Sequence, residues 1–475
     1  MTELDGALGV LPASSGKIYC VVGASSSGPF NLPSTFGRPK DVISNFGGGP
    51  LVEAACHELE LYGKPVCVTR TAQTVAGTPG TIDVTGVLGT SVATLTGVPI
   101  DDYEAQVKVL TGGTIGTAGI ILQWSLDGGR TLSPPTALGT ATSFAVPGAG
   151  SLAFAFAAGT LIAGDVAKTR TTAPQWNATD LGLALDALGN SAVSWELVYP
   201  VGPIDGAAFD LIETKIASLR ARGKFRAWIG NTRVPLVAES EATYAAALVT
   251  IFGSRATVSG SLCAGAAKIT SSVSGRKYKR PIAFSVAAVT ALVSAEINIA
   301  DVNRGPLIGV TIRDANGNPD EHDESVSPGL DDARFCVLRT WEGRGGAYVN
   351  RPLVFSNPGS DFSIFPYRRV INIAEAVVQN YLQLRLNKPI LVSALTGFIL
   401  ESEALEIEAG AKSALRSALL AVPMASSINF VLSRTDNLLS SKTLTGDARI
   451  VPLAYAETIN VTVGYTNPAA QILGA

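Results

Sequence analysis

Near the start of the chain, continuous apolar runs alternate with apolar residues at helical spacing. "KIYCVVGA" at 17 to 24 reads as a strand. Pro50 then opens "LVEAACHELELYG", where Val52, Cys56 and Leu59 recur on one helical face and Gly63 supplies the terminator. "PVCVTR" at 65 to 70 follows as the next strand. The order strand, helix, strand begins an α/β layer.

From about Thr71 to Thr171 the pattern changes to period two. Val107, Val109, Ile120, Leu122, Trp124 and Leu126 mark strand faces, charges thin out, and "LDGGRT" at 126 to 131 supplies a turn. This reads as a small β-rich domain inserted into the α/β body, with "AGTPGT" and "VPGAG" as exposed loops. The α/β pattern returns with "WELVYPVG" as a strand. The helix "DGAAFDLIETKIASLRARG" follows, with Phe209, Ile212, Ile216 and Leu219 on one face and Asp205 able to cap its start. "FRAWIG" and "RATVSGSLC" read as strands, "SEATYAAALVTIFG" as a helix, and Pro281 leads the helix "IAFSVAAVTALVSAE".

Residues 314 to 328, "DANGNPDEHDESVSP", lack a hydrophobic seed and read as a solvated loop, with a strand resuming over 332 to 338. From Phe365 a helix runs through Leu384, and another covers "ESEALEIEAGAKSALRSALLA". Strands lie in "SSINFVLSR", "ARIVPLA" and "ETINVTVGY". A compact α+β unit thus closes a multidomain α/β and α+β chain.

Composition adds bounds to this pattern. The chain has 475 residues, 47% of them hydrophobic and 16% charged, enough for several ordered domains. Its 36 basic and 39 acidic residues give a net charge of -3, a poor match for a nucleic-acid backbone, so no direct nucleic-acid partner is expected. The first residues lack the basic and apolar regions of a secretory signal, and "SLAFAFAAGTLIAG" is shorter than the roughly 20 residues that span a bilayer. No stable membrane insertion is expected. Cys20, Cys56, Cys67, Cys263 and Cys336 form no CxxC and read as buried free thiols.

Reactive chemistry is sparse. "VGASSSGP" has the glycine spacing of a phosphate loop, but Pro29 and Phe30 replace its lysine and hydroxyl residue. Of the two histidines, His57 belongs to a helix surface or packing face. His322 lies in "DEHDE", after an Asp314, Asn316, Asn318 series that resembles a calcium loop; Pro319 replaces its turn glycine and Ser325 its bidentate Glu. Carboxylate pairs such as Asp101 and Asp102, or Asp331 and Asp332, have no evident partner. No catalytic, cofactor or metal residue is therefore assigned, and the chain reads as a non-enzyme. The basic run Arg276, Lys277, Lys279 and Arg280 reads as a polar interface or a solvated edge.

Residues 341 to 386 are richer. Arg344, Arg351, Arg368, Arg369 and Arg385, preceded by Arg339, are interleaved with Trp341, Tyr348, Phe355, Phe362, Phe365 and Tyr367. Arginine suits bidentate carboxylate contacts and aromatic rings supply buried area. Arg351, Tyr367, Arg368 and Arg369 are the contact candidates, at an interface between chains or at an internal domain junction.

The segment "YVNRPLVFSNPGSDFSIFPYRRVINIAEA" resembles the approach to the C-terminal domain of contractile phage tail sheath proteins, a family also found in phage-like injection particles. "DGALGVLPASSGKIYCVVGASSSGPFNLPSTFGRPKDVISNFGGGPLVEAA" and "ARIVPLAYAETINVTVGY" resemble the family's two ends. The resemblance implies a virion sheath subunit, assembled in the host cytoplasm, that stacks as six-subunit rings around an inner tail tube protein. It also implies contacts with baseplate and tail terminator proteins, exchange of terminal strands between subunits, and contraction without a bound cofactor.

Carried onto this chain, the resemblance implies an N-terminal arm at 1–16 and a discontinuous α/β core at 17–71 and 172–364. It further implies that the β-rich domain at 72–171 faces outward, that the α+β domain at 365–455 faces the tube, and that 456–475 form a C-terminal arm donating Ile459, Val461 and Val463. Few residues precede "DGALGVLP", so the N-terminal linker is expected to be short, differently routed or incomplete. A carbohydrate-binding or adhesive module, motivated by Trp124 and Trp176 in a Thr- and Gly-rich setting, is the alternative; an ATP-dependent enzyme lacks its phosphate-binding lysine.

Overall fold

The computed structural model describes residues 18–85, 89–236 and 239–465. The chain divides into two compact units, Met1–Lys388 and Pro389–Ala475.

In the first unit, Tyr19 and Val21 of the strand Ile18–Gly23 enter one apolar cluster, while Cys20 and Val22 enter another on the opposite face. A strand buried on both faces needs no polar alternation, which is why "IYCVVG" is apolar throughout. Five parallel strands run in the order Gly260–Cys263, Ala227–Asn231, Trp195–Pro200, Ile18–Gly23 and Val66–Arg70, and Ser34–Phe36 adds an antiparallel edge. Helices Pro50–Tyr62 and Ala283–Leu292 contribute to one cluster; Ala178–Asn190, Gly206–Ala221 and Glu241–Phe252 contribute to the other. The body is therefore a mixed α/β layer, as the alternation implied.

The expected caps are present. Asp205 accepts from the Ala208 N–H at 2.8 Å, Pro50 opens its helix, and Gly63 closes that helix in the left-handed region. Several elements had not been read from the sequence: helix Pro39–Phe46, strand Ser34–Phe36 and helix Ala178–Asn190, whose Asn177 and Asp180 form a reciprocal capping box. The strand expected in "RATVSGSLC" is confined to Gly260–Cys263, and the one expected over 332 to 338 begins only at Leu338, in Leu338–Trp341.

Between Val66–Arg70 and helix Ala178–Asn190 the chain builds a β-rich insertion. A five-stranded antiparallel sheet has the order Asp83–Thr85, Val166–Arg170, Glu104–Thr111, Ile121–Ser125 and Thr136–Ala137. A three-stranded sheet joins Ser143–Ala145, Ala153–Phe156 and Ala93–Thr96. Val107, Val109, Ile120, Leu122, Leu126 and Phe154 share its core. Of the "VPGAG" loop, Val146 and Ala149 turn inward and are buried, contrary to a wholly exposed loop.

In the second unit, helix Glu401–Leu419 and the antiparallel hairpin of Ala425–Leu432 with Gly446–Pro452 form an α+β pair. Ala404, Ile407, Ala411, Leu415 and Leu419 are buried along one helix face, as are Phe430 and Leu432 on the hairpin. Glu408 ties the two elements by accepting from the Leu432 N–H at 2.8 Å and from Arg434 at 2.6 Å. The strand expected in "ETINVTVGY" is absent; its residues are exposed and outside any strand.

Candidate functional site

Three places bring together the residues singled out in the sequence. The first is the base of the β-rich insertion, where the basic run is drawn inward. Strand Lys277–Pro281 pairs with Ala266–Thr270, so alternate residues point to opposite faces. Tyr278 and Arg280 point into the insertion, and the Tyr278 ring meets Tyr103 edge-on at 5.8 Å. Arg280 forks onto Asp101 with both Nη–Oδ distances at 2.7 Å, and each side chain is only 3% exposed. Glu53 of helix Pro50–Tyr62 accepts from Ser271 at 3.0 Å.

Burial pushes Asp101 up to about 7 against the pull of Arg280. Arg280 itself is raised, because the favourable charges of Asp101 and Glu53 outweigh its desolvation. The fork keeps Arg280 charged, because a guanidinium held by a bidentate carboxylate does not give up its proton. Lys279 pairs with Glu321 at 2.9 Å, Arg276 lies over the Trp124 ring at 5.1 Å, and Lys277 is exposed. Thus Arg276, Lys279 and Arg280 all have partners within the first unit.

The second place is the start of helix Phe365–Gln383, which belongs to the first unit. Arg369 donates to Glu196 at 2.8 Å and to the carbonyls of Thr290, Val293 and Ser294 at 2.9, 3.0 and 3.3 Å. Those three carbonyls lie around the end of helix Ala283–Leu292, where unpaired acceptors favour a cation. Arg368 is buried and donates to Asn372 Oδ1 and, at 2.8 Å, to Glu375. Arg220 reaches the same Glu375 from helix Gly206–Ala221 at 2.8 Å. Burial and the neighbouring Arg220 pull Arg368 down to about 10, with Glu375 opposing. Arg351 pairs with Asp331, and Tyr367 is half-buried on the same helix. Arginines 351, 368 and 369 therefore fasten elements of one unit together.

The third place is the end of the described chain. Ile459, Val461 and Val463 are 77%, 74% and 89% exposed. The N-terminal arm at 1–16 and residues 466–475 of the C-terminal arm lie outside the described residues.

The loop expected to be solvated is instead largely buried at Glu321, His322, Asp323 and Glu324. His322 Nδ1 meets Glu241 at 2.7 Å and Nε2 meets Glu324 at 3.0 Å, while Asp323 takes Arg313 at 2.8 Å and Thr340 at 2.7 Å. Glu321 pairs with Lys279 and His322 with Glu241, partners from distant stretches that local composition does not show. Asp314 accepts from the Asn316 and Asn318 N–H groups as a turn. Among the described residues no group of three or more His, Cys, Asp or Glu is placed to hold a metal ion. His57 packs between helices with Nε2 3.2 Å from Ser285, and burial lowers it to about 4. Trp176 is buried, donating to the Val201 carbonyl at 2.8 Å.

A family model described as "DUF2586, N-terminal domain" matches residues 1–351. No curated protein matches the sequence. Among solved structures, the chain is similar to the contracted helical sheath of the anti-feeding prophage, with 11% identity, a TM-score of 0.51 and 98% of both chains covered. It is also similar to a chain of that prophage's contracted baseplate, with 13% identity, a TM-score of 0.50, and 98% of this chain and 96% of that one covered. A third similar structure is the sheath tail protein Lin1278 from Listeria innocua, with 14% identity, a TM-score of 0.46, and 93% and 96% covered. At such identities the likeness is one of fold.

Proposed function

The chain belongs to the DUF2586 family, and we propose that it is a structural subunit of a contractile, sheath-like assembly. The observation that carries this reading is the end-to-end match in fold to a helical sheath subunit, with 98% of both chains covered. Little reactive chemistry competes with it: the buried charges described above are consumed in pairs that hold elements together.

In this reading copies of the chain stack as six-subunit rings around an inner tail tube, between a baseplate and a tail terminator, as part of a virion or a related injection particle. The α/β core at 17–71 and 172–364 forms the sheath wall, the domain at 72–171 faces outward, and 365–455 faces the tube. The arm at 456–475 donates a strand to a neighbour through Ile459, Val461 and Val463. Their exposure supports this, because apolar side chains alternating along an extended segment lose their contact with water when a partner sheet takes them up. Arg368 and Arg369, at the start of helix Phe365–Gln383, hold polar contacts that survive or re-form while the lattice changes state.

Sedimentation of the purified full-length chain and of a chain ended at Tyr455 tests the arm. Fast-sedimenting polymer from the first and discrete, folded particles from the second are expected. Equal polymerisation by both would remove the arm from the account, and discrete glycan-binding particles from the full chain would favour an adhesive module.

A further inference from the structure

Four of the five cysteines are placed in two side-by-side pairs in and beside the central sheet. Cys20 of Ile18–Gly23 and Cys67 of Val66–Arg70 are register partners on adjacent parallel strands. Cys263, which ends Gly260–Cys263, is bridged in parallel to Cys336, with the Cys336 N–H on the Leu262 carbonyl and the Ala264 N–H on the Cys336 carbonyl, both at 3.0 Å. Within each pair the side chains share a face: Cys20 and Cys67 belong to one apolar cluster, Cys263 and Cys336 to the other. All four are buried free thiols.

Adjacent strands lie about 4.8 Å apart. This falls inside the range of roughly 4.4–6.8 Å between the Cα atoms of a disulfide. Cys56 is buried too, but its sulfur faces the Pro39 carbonyl at 3.8 Å and has no cysteine beside it in the sheet.

We propose that Cys20 with Cys67, and Cys263 with Cys336, are two latent disulfide sites that close when the folded protein meets a small neutral oxidant such as hydrogen peroxide. In the first pair Cys67 is the attacking thiol. The Cys20 thiol donates to it, which holds Cys67 below the usual thiol range, while burial pushes Cys20 up. The Cys67 thiolate attacks one peroxide oxygen, the O–O bond breaks, and the departing hydroxide takes a proton and leaves as water. Cys20 sulfur then attacks the resulting sulfenic acid; the S–O bond breaks, the S–S bond forms, and a second water leaves. Two thiols are oxidised by two electrons and one peroxide is reduced to two waters. The second pair follows the same stoichiometry.

The consequence is a staple at each of two places in the body. One links the first strand to its neighbour across residues 20 to 67, and the other links the edge strand to the chain at 336. Each closes a long loop and lowers the entropy of the unfolded chain.

Peroxide treatment of the folded full-length chain, followed by unfolding in iodoacetamide, peptide mapping and intact mass, tests this. We expect the treated chain to take up one alkyl group, at Cys56, where the untreated chain takes up five. Linked peptides should join 20 to 67 and 263 to 336. Cys67→Ser and Cys336→Ser should each abolish one link and spare the other, but the mapping of the unaltered chain suffices if either fails to fold. A pair whose two cysteines both alkylate after treatment, or are found as unlinked sulfinic acids, overturns the proposal for that pair.

Discussion

His322 has a carboxylate on each ring nitrogen, Glu241 on one side and Glu324 on the other. Burial disfavours its charge, but the hydrogen bonds and charges of the two carboxylates prevail and raise it from 6.5 to about 9. The folded state holds this proton more tightly than the unfolded one. The stabilisation is therefore complete below about pH 6.5 and is lost as pH rises through about 9. Glu58 behaves alike in sign for another reason: both its oxygens are buried without partners, and burial raises it to about 8. Denaturant titrations between about pH 6.5 and 9 should show a smaller fall in stability in His322→Gln than in the parent chain, while the buried Cys20, Cys56 and Cys263 thiols, pushed up by burial, add to the fall in both. Glu58→Gln should reduce the fall between about pH 4.5 and 8, leaving the part above about pH 6.5 that His322 supplies.

Removing one partner of a buried ion pair leaves the other charge stranded, so Arg280→Ala should cost about 3–5 kcal/mol in a denaturation experiment. A cost below about 1 kcal/mol, typical of an exposed pair, would contradict the buried fork. These partnerships were not legible in the sequence. Arg280 stands in a run that looks like a solvated edge, and its carboxylate lies 179 positions away; likewise Glu241 is 81 positions from His322. Local spacing carries no trace of such pairs.

The elements were legible where burial imposes a pattern. Strands of the central sheet are buried on both faces and appear as unbroken apolar runs, and the insertion's strands alternate because one face meets its own core. Helix Ala178–Asn190 is signalled by Asn177, Asp180, Leu181, Leu185 and Leu188, although it carries Gly182 and Gly189. Packing explains Gly189: a Cβ there would lie 2.8 Å from a Leu219 methyl, so the glycine permits close approach of helix Gly206–Ala221. Asn177→Ala should lower stability by about 1 kcal/mol, read from the denaturation midpoint at unchanged slope. The strand expected near Ile459 is a different case, since an extended segment without a partner strand has no backbone ladder to define it.

Across the molecule, the α/β body and the β-rich insertion are fastened by a buried Arg280 and Asp101 fork, and the terminal helix and hairpin form a small unit of their own. Arg276, Lys279 and Arg280 of the basic run, and Arg368 and Arg369 of helix Phe365–Gln383, have partners within the first unit, whereas Ile459, Val461 and Val463 are exposed. What unites these features is a chain that devotes its charged chemistry to holding shape. If the chain is a sheath-like subunit it polymerises, and electron microscopy of the purified full-length protein reads that polymer. Hollow striated tubes whose end views show six-fold rings are expected; persistently monomeric particles at high protein concentration would rule out the sheath-like reading.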